Sequence, residues 1–216
     1  MNGLELILDA DADTSITADT DDQIDFKVGG SDVFSVTATG VSGAAVVGKQ
    51  TMWIPAAAMY PNTTAGCAGL AQVELSNGPE LKVLDFAAGA DDFAQFTVAF
   101  PKLWNAGTVT FQAFFTVTGT NTGTVAWGLS GVAFADSGDI NTAFGTNVVA
   151  TAKAHSGTSN DLDVSAVSGA VTIAGSPSVD ELVFFQIMRD VSADNQTGAA
   201  RLLGIKLFFT TDAAND

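Results

Sequence analysis

The sequence predicts an all-β protein, with a short N-terminal β-stalk followed by a jelly-roll-like two-sheet β-sandwich. The chain of 216 residues holds 22 Gly and 15 Phe, a composition that favours turns and strands. Short segments of alternating apolar and polar residues recur along it, with turn residues between them. No segment has the apolar period of an amphipathic helix. A turn or two of helix is expected only near residues 55–59.

The predicted stalk comprises residues 1–45. Very short strands are expected at residues 4–8, 15–17, 24–28 and 33–36, with a tight turn at residues 29–32. Strands this short bury little apolar surface within one chain. We therefore expect them to associate with copies of themselves. The predicted anchoring and trimer contacts are the apolar residues Leu6, Ile7, Leu8, Ile16, Ile24 and Phe26.

The predicted jelly-roll domain comprises residues 46–216, with about ten strands separated by turns. In the segment VTFQAFFTV, the alternate residues from Val109 to Val117 share one face. In the segment ELVFFQIMRD, apolar residues lie on both faces, so both faces of this strand are expected to be partly buried. The number and spacing of these strands predict a two-sheet sandwich or jelly roll.

Composition excludes several kinds of partner and site. Lys and Arg total 8 against 24 Asp and Glu, a formal net charge of −16 that repels phosphates. The sequence therefore predicts neither a nucleic-acid partner nor a membrane partner. No apolar run approaches the roughly 20 residues of a transmembrane helix, and residues 1–13 lack the basic region of a secretory signal. Cys67 is the only cysteine, which excludes an intrachain disulfide and a cysteine zinc cluster.

Three aspartates at two-residue spacing, Asp9, Asp11 and Asp13, raise the question of a calcium loop. A helix-loop-helix calcium loop that began at Asp9 would need Gly at its sixth position and Glu at its twelfth, where Thr14 and Thr20 stand. The plainer interpretation, which we favour, is that the aspartates cap tight turns and protect strand edges. A second interpretation, an ion held between chains on a trimer axis, is left open. We predict no metal and no cofactor.

Catalytic constellations are weakly supported. His155, the only histidine, could form a triad with Ser156 or Ser159, but no G-x-S-x-G motif occurs. We expect a solvent-facing loop histidine. The adjacent acidic pairs at residues 91–92 and 180–181 could in principle hydrolyse glycosides, yet they precede strands, where acidic residues commonly mark turns. We predict that the protein is not an enzyme.

Four large aromatic residues could form a sugar-stacking platform: Trp53, Tyr60, Trp104 and Trp127. Each lies within or beside an apolar strand, which predicts core packing instead. Trp104 is the best exception, because FPKLWNAG has the pattern of a strand that ends in a turn.

The segment LILDADADTSITADTDDQIDFKVGGSDVFSVTATG resembles a stalk module of structural proteins in tailed bacteriophages, especially marine phages. The segments MWIPAAAMYP, LDFAAGADDFAQFTVAFPKLWNAGTVTFQAFFTV, VAWGL and ARLLGIKLFFTTDAAND resemble a phage jelly-roll domain found on tail fibres and head spikes. Together they cover nearly the whole chain. The resemblance implies a homotrimeric, non-enzymatic structural protein on the virion exterior, and it carries no catalytic residues.

Three functions fit this resemblance. The first is a capsid decoration protein, a cement protein or head spike that binds the major capsid protein and stabilises the head by burying surface. The second is a tail fibre that binds a tail or baseplate protein and recognises host surface glycans. The third, a glycan-active enzyme, is disfavoured because no acid–base constellation is found. The first predicted strand begins close to residue 1, without a preceding tail-docking domain, which favours decoration over a tail fibre.

Overall fold

The computed structural model describes residues 5–43 and 46–212. Within them the regular structure is β, apart from one 3-10 helix at Ala56–Ala58, where a turn of helix is predicted. The chain folds as two compact units: residues 1–50 with 101–105 and 210–216, and residues 51–100 with 106–209. The domain boundary after residue 45 stays a prediction, because residues 44 and 45 lie outside the described part. Leu4, the first residue of the first predicted strand, also lies outside it.

The first unit contains a five-stranded antiparallel meander, the N-terminal sheet. Its strands are β1 (Leu6–Ile7), β2 (Ser15–Thr17), β3 (Gln23–Val28), β4 (Ser31–Thr37) and β5 (Gly40–Ser42). The bounds of β2 are those predicted, whereas β5 was not predicted. Gly29 and Gly30 have φ of +59° and +73°, which suits a two-residue hairpin turn and lets β4 begin two residues before the predicted start.

The register of this sheet places apolar residues on one face. Leu6 pairs with Ile16, which pairs with Phe26, and the same alternation continues into β4 and β5. We call this set the apolar face: Leu6, Ile16, Ile24, Phe26, Val28, Phe34, Val36 and Val41. The rings of Phe26 and Phe34 meet edge to face, with centroids 5.2 Å apart.

The second unit is the predicted jelly-roll-like β-sandwich of two antiparallel sheets. Its strands are β6 (Lys49–Pro55), β7 (Tyr60–Pro61), β8 (Ala71–Val73), β9 (Leu81–Phe86), β10 (Asp92–Ala99), β11 (Thr110–Val117), β12 (Thr124–Val125), β13 (Trp127–Phe134), β14 (Val148–Val149), β15 (Lys153–Ala154), β16 (Asp163–Val164), β17 (Ile173–Ala174), β18 (Leu182–Arg189) and β19 (Ala200–Thr210). One sheet has the order β14-β13-β18-β10-β7, with β17 parallel to β13. The other has the order β16-β11-β19-β9-β8, with β6 beside β19. Strands β12 and β15 form a separate ribbon.

The core lies between the two sheets and is rich in aromatic rings. Trp127 of the first sheet contacts Phe86 and Phe115 of the second, with ring centroids 4.9 and 5.6 Å away. Phe96 and Phe185 stack at 5.3 Å on neighbouring strands. The predicted shared face of β11 is confirmed, since its alternate residues from 109 to 117 are all buried. This closely packed core fixes the two sheets against one another.

Candidate functional site

The apolar face of the N-terminal sheet is exposed, although the eight residues that define it are all hydrophobic. Leu6, Ile24, Val28 and Val36 are 37–56% exposed, and the other four members are partly exposed. Apolar residues are usually buried, and a contiguous exposed apolar surface marks an interaction site. The apolar face is therefore the first candidate functional surface.

The six predicted contact residues divide between positions in this sheet. Leu6, Ile16, Ile24 and Phe26 lie on the apolar face. Ile7 pairs with Ser15 and faces the opposite side, and Leu8 follows β1 as an exposed residue. The face also includes residues of β4 and β5 that the sequence analysis did not single out. Their alternation in the sequence signals a strand face, but only the register shows that they join this one.

The opposite face of the N-terminal sheet is polar and forms its own hydrogen bonds. The buried Asp25 accepts hydrogen bonds from the Ser35 hydroxyl and from the Gln23 amide, at 2.5 and 2.8 Å. These bonds, that from Ser35 first, hold the pKa of Asp25 below its ordinary value. Ser15 donates a hydrogen bond to Glu5 in the same way. The two faces thus differ in chemistry: the polar side chains form hydrogen bonds with one another, whereas the apolar side chains remain partly exposed.

A groove on the sandwich is the second candidate surface. It lies on the outer face of β13, β18 and β10 and has a volume of about 440 Å3, within the range of small-molecule sites. We call it the outer-face groove. The residues that line it are Gln95, Val132, Phe134, Ile140, Thr142, Phe144, Leu182 and Phe184. The predicted partial burial of both faces of β18 is confirmed, because Phe184 and Gln186 are half-buried opposite a fully buried inner face.

One wall of the groove is a loop between β13 and β14 that is fixed to the sheet. The amide of Gly145 donates to the carbonyl oxygen of Gly131 at 3.0 Å. The loop is also held from within, since Thr142 and Asn141 donate to Asp139 at 2.8 and 2.9 Å. The groove is therefore formed before any ligand arrives.

The outer face of this sheet carries aromatic and amide groups. Gln95 pairs across the strands with Gln186 on one side and with Tyr60 on the other, which places three polar side chains in one row. Phe134 and Phe184 meet edge to face beside that row, at 5.5 Å. Among the described outward-facing positions of β7, β10, β13 and β18, none holds a charged residue.

The exposure of the large aromatic residues differs from the prediction. Trp104, the predicted exception, is fully buried, as is Trp127. Trp53 and Tyr60, predicted to pack in the core, are each 47% exposed. Trp53 lies on the outer face of the other sheet, where its ring covers Gly204. An added Cβ at Gly204 would lie 2.7 Å from the indole, so the ring fits here because residue 204 is glycine.

The prediction that His155 is a solvent-facing loop residue is wrong. Its side chain is buried, its Nδ1 lies 2.6 Å from a carboxylate oxygen of Asp163, and its Nε2 lies 3.3 Å from the carbonyl oxygen of Gly119. No triad is formed, because Ser156 donates to Asp161 at 2.7 Å and Ser159 is exposed in a turn. The histidine joins β16 to a neighbouring loop, as a structural link.

Two arginine–aspartate pairs also hold the sandwich together. Arg189 is buried, and its Nε donates to Asp194 at 2.7 Å. Arg201 donates to both carboxylate oxygens of Asp85 at 2.8 and 3.0 Å, and these bonds raise the pKa of Arg201. Both arginines have their charge matched by a neighbour, so neither supplies a free cation for a substrate.

The three aspartates at the N-terminus come close together. Carboxylate oxygens of Asp9, Asp11 and Asp13 lie within 4.8 Å of one another, and all three side chains are exposed. One oxygen of Asp9 accepts a hydrogen bond from the Thr14 amide at 3.3 Å. Hydrogen bonds from Thr14 hold the pKa of Asp9 below its ordinary value. This bond caps the turn, as expected if the aspartates cap tight turns.

The adjacent acidic pairs also bind backbone amides. One oxygen of Asp91 accepts from Val191 at 2.9 Å, Asp92 accepts from Ala87 at 2.6 Å, and Glu181 accepts from Ser178 at 3.0 Å. Carboxylates used in this way fix loops. No helix in the described part of the chain is long and apolar enough to cross a membrane.

Comparisons with known proteins find solved structures of low similarity but no family. No protein-family model matches the sequence, and no curated protein matches it. The CBM36-1 domain of a multidomain xylanase from the hindgut metagenome of Trinervitermes trinervoides has a TM-score of 0.38 and 11% identity, over 73% of this chain and 96% of that chain. CBM27-1 of Caldicellulosiruptor saccharolyticus, solved with mannohexaose, has a TM-score of 0.37 and 10% identity, with the same two coverages.

A family 11 carbohydrate-binding module from Clostridium thermocellum, solved with a mixed-linked tetrasaccharide, has a TM-score of 0.34 and 8% identity over 81% of this chain and 93% of that chain. These similarities concern the arrangement of strands, and we transfer neither ligand nor binding residue from them. None of the comparisons connects the chain with phage virion proteins, so that resemblance depends on the sequence motifs alone.

Proposed function

We propose that the protein is a non-enzymatic structural protein on the exterior of a tailed-phage virion. In this proposal it is a homotrimeric capsid decoration protein, a cement protein or head spike, whose N-terminal sheet joins the three chains and rests on the major capsid protein. The mechanism is burial of surface: each interface that the protein adds must be broken before the head opens.

The exposed apolar face of the N-terminal sheet is the observation that carries this proposal. Complete burial of a Val, Leu or Ile side chain contributes about 1.5–3 kcal/mol. Covering the exposed parts of Leu6, Ile24, Val28 and Val36 therefore contributes roughly 4 kcal/mol per chain. A sheet with such a face needs a second layer to be stable, which supports association through it.

Copies of the same chain fit this face better than an unrelated charged partner. The chain has a net charge of −16, which opposes the approach of any acidic partner, but the apolar face itself is uncharged, so chains that associate through it bury no like charges against one another. Identical faces arranged around a rotation axis form a closed assembly. The number of three chains comes from the resemblance of the sequence to phage stalk modules.

The arrangement of titratable groups supports a function without catalysis. His155 is committed to Asp163, and Arg189 to Asp194, inside the sandwich. The carboxylates of Asp91, Asp92 and Glu181 are committed to loop amides. A general acid or base must reach a substrate proton, and these groups are instead held in structural bonds.

A second candidate function is the tail fibre, which would bind a tail or baseplate protein and recognise a host surface glycan. The outer-face groove favours it, because a capsid cement protein has no need of a preformed groove on the sandwich. Both candidates share the trimer and the virion location, and they differ in where on the particle the protein lies.

Immunogold electron microscopy of intact phage particles tests the proposal, with antibody raised against residues 50–216. Gold spread over the heads is the expected result. Gold confined to the tail tip would replace decoration with the tail-fibre function. Particles without gold, from a lysate in which the protein is detected, would refute a virion location.

A further inference from the structure

We propose that the outer-face groove binds a neutral oligosaccharide, with Phe184 as the stacking surface and Gln95 as the principal hydrogen-bonding group. The inference rests on the binding role proposed above for the sandwich. It goes beyond capsid decoration, because a decoration protein with such a site would also hold the particle to surface sugars.

The shape of the groove is suited to a short chain of sugar rings. It is open along the sheet, and its floor crosses three strands, from Val132 and Phe134 through Phe184 to Gln95. Its volume of about 440 Å3 lies in the range of sites for small ligands. The bond between Gly145 and Gly131 fixes its loop wall, so little conformational entropy is lost on binding.

Aromatic rings supply the apolar part of such a site. Phe134, Phe144 and Phe184 all line the groove, and the edge-to-face contact between Phe134 and Phe184 fixes both rings. The flat C–H face of a pyranose packs against the electron-rich face of an aromatic ring. Leu182 and Ile140 extend the apolar surface and are exposed in the described structure, so a ligand that covers them is stabilised by their burial.

Polar groups next to these rings match sugar hydroxyls. The row of Gln186, Gln95 and Tyr60 runs across the strands beside the rings. A glutamine amide has two donor hydrogens and one acceptor oxygen, and a phenol both donates and accepts. Of the three, only Gln95 lines the groove, and its amide is able both to donate to and to accept from the hydroxyl groups of a sugar ring.

Charge argues for a neutral ligand. The net charge of −16 repels anionic glycans, and no charged side chain lines the groove. A cationic ligand would therefore find no carboxylate in the groove to pair with.

Isothermal titration calorimetry on the full-length protein tests the inference. The probes are linear tetrasaccharides of glucose, mannose and galactose, together with a tetramer of galacturonic acid as the anionic comparison. At least one neutral tetrasaccharide is expected to bind, with a dissociation constant on the order of 1 mM or lower. Binding of the anionic tetramer alone, or of none of the probes, would overturn the proposal.

Two variants assign the binding to the groove. Gln95→Ala removes one partly buried amide without opening the core, and it is expected to weaken binding about 3-fold to 10-fold. Phe184→Ala is expected to abolish measurable binding. Leu162→Ala is the matched control, because Leu162 is an exposed apolar residue outside the groove, and it should bind as the wild type does.

Unchanged affinity in both groove variants would place the sugar elsewhere and refute the assignment. Phe184 contacts Phe134, so circular dichroism must first show that Phe184→Ala is folded, while Gln95→Ala gives the same test without that risk. Failure of sugar binding leaves the trimer mass and the gold labelling unaffected, so it is distinguishable from failure of the proposed virion function.

Discussion

Replacement of Arg189 by methionine should strongly destabilise the sandwich. The guanidinium is fully buried and donates to both carboxylate oxygens of Asp194, at 2.7 and 3.2 Å. It also donates to the carbonyl oxygens of Phe86, Gly198 and Gln196, at 3.2, 2.8 and 2.6 Å. Methionine fills much of the space but leaves the Asp194 carboxylate, which is 2% exposed, without its partner. Breaking a buried pair in this way costs about 3–5 kcal/mol.

The matched control is Arg201→Met. The pair of Arg201 and Asp85 has a similar geometry, but its side chains are 15% and 28% exposed. Water therefore screens the charges, and removal should cost no more than about 1 kcal/mol.

Thermal unfolding followed by circular dichroism compares the two variants. A change of 1 kcal/mol shifts Tm by about 2–4 °C in a domain of this size. The Arg189 variant should therefore lose about 6–20 °C, and the Arg201 variant at most about 4 °C. Equal losses, or a higher Tm for Arg189→Met, would refute the reasoning that burial makes the first pair costly to break.

Three further predictions concern single groups. The pKa of Asp25 is lowered, so its stabilisation of the N-terminal sheet is present above the ordinary carboxyl pKa of about 3.9 and is lost as the pH falls through the lower folded value. Acid titration followed by circular dichroism should show this loss. The variant Asp25→Asn has no carboxyl group to titrate at this position and should not show the step. Burial raises the pKa of the Cys67 thiol to about 12, so Ellman's reagent should label it only after denaturation, and rapid labelling of the native protein would contradict its burial. EDTA should leave Tm unchanged if Asp9, Asp11 and Asp13 only cap turns, whereas a large drop on chelation would establish a metal site there.

Local patterns in the sequence were sufficient to predict several of the strands and the faces of some of them. Strand β2 has the predicted bounds, and the alternation from Val109 to Val117 gives the buried face of β11. The apolar residues on both faces of β18 also signalled that something covers its outer face, which is where the groove lies. These features depend on residues close together in the chain, and strand periodicity reports them directly.

Features that depend on pairing between distant segments could not be predicted. His155 is buried because β16, the strand that carries its partner Asp163, pairs with β11 much earlier in the chain, and the polar sequence around the histidine gives no sign of this pairing. Trp53 lies on the outside because Gly204, about 150 residues away, leaves room for its ring. The groove requires a loop from residues 140–144 to cover β13 and β18, which no local pattern encodes.

The mass of the full-length chain in solution tests the central claim most directly. Light scattering coupled to size exclusion should give about 66 kDa, three times the chain mass of 22.0 kDa. Ile24→Asp, which places a charge on the apolar face, should reduce the mass to that of one chain, and Leu162→Asp, at a more exposed position outside that face, should not. A wild-type mass of about 22 kDa, or an unchanged trimer in Ile24→Asp, would contradict assembly through the apolar face.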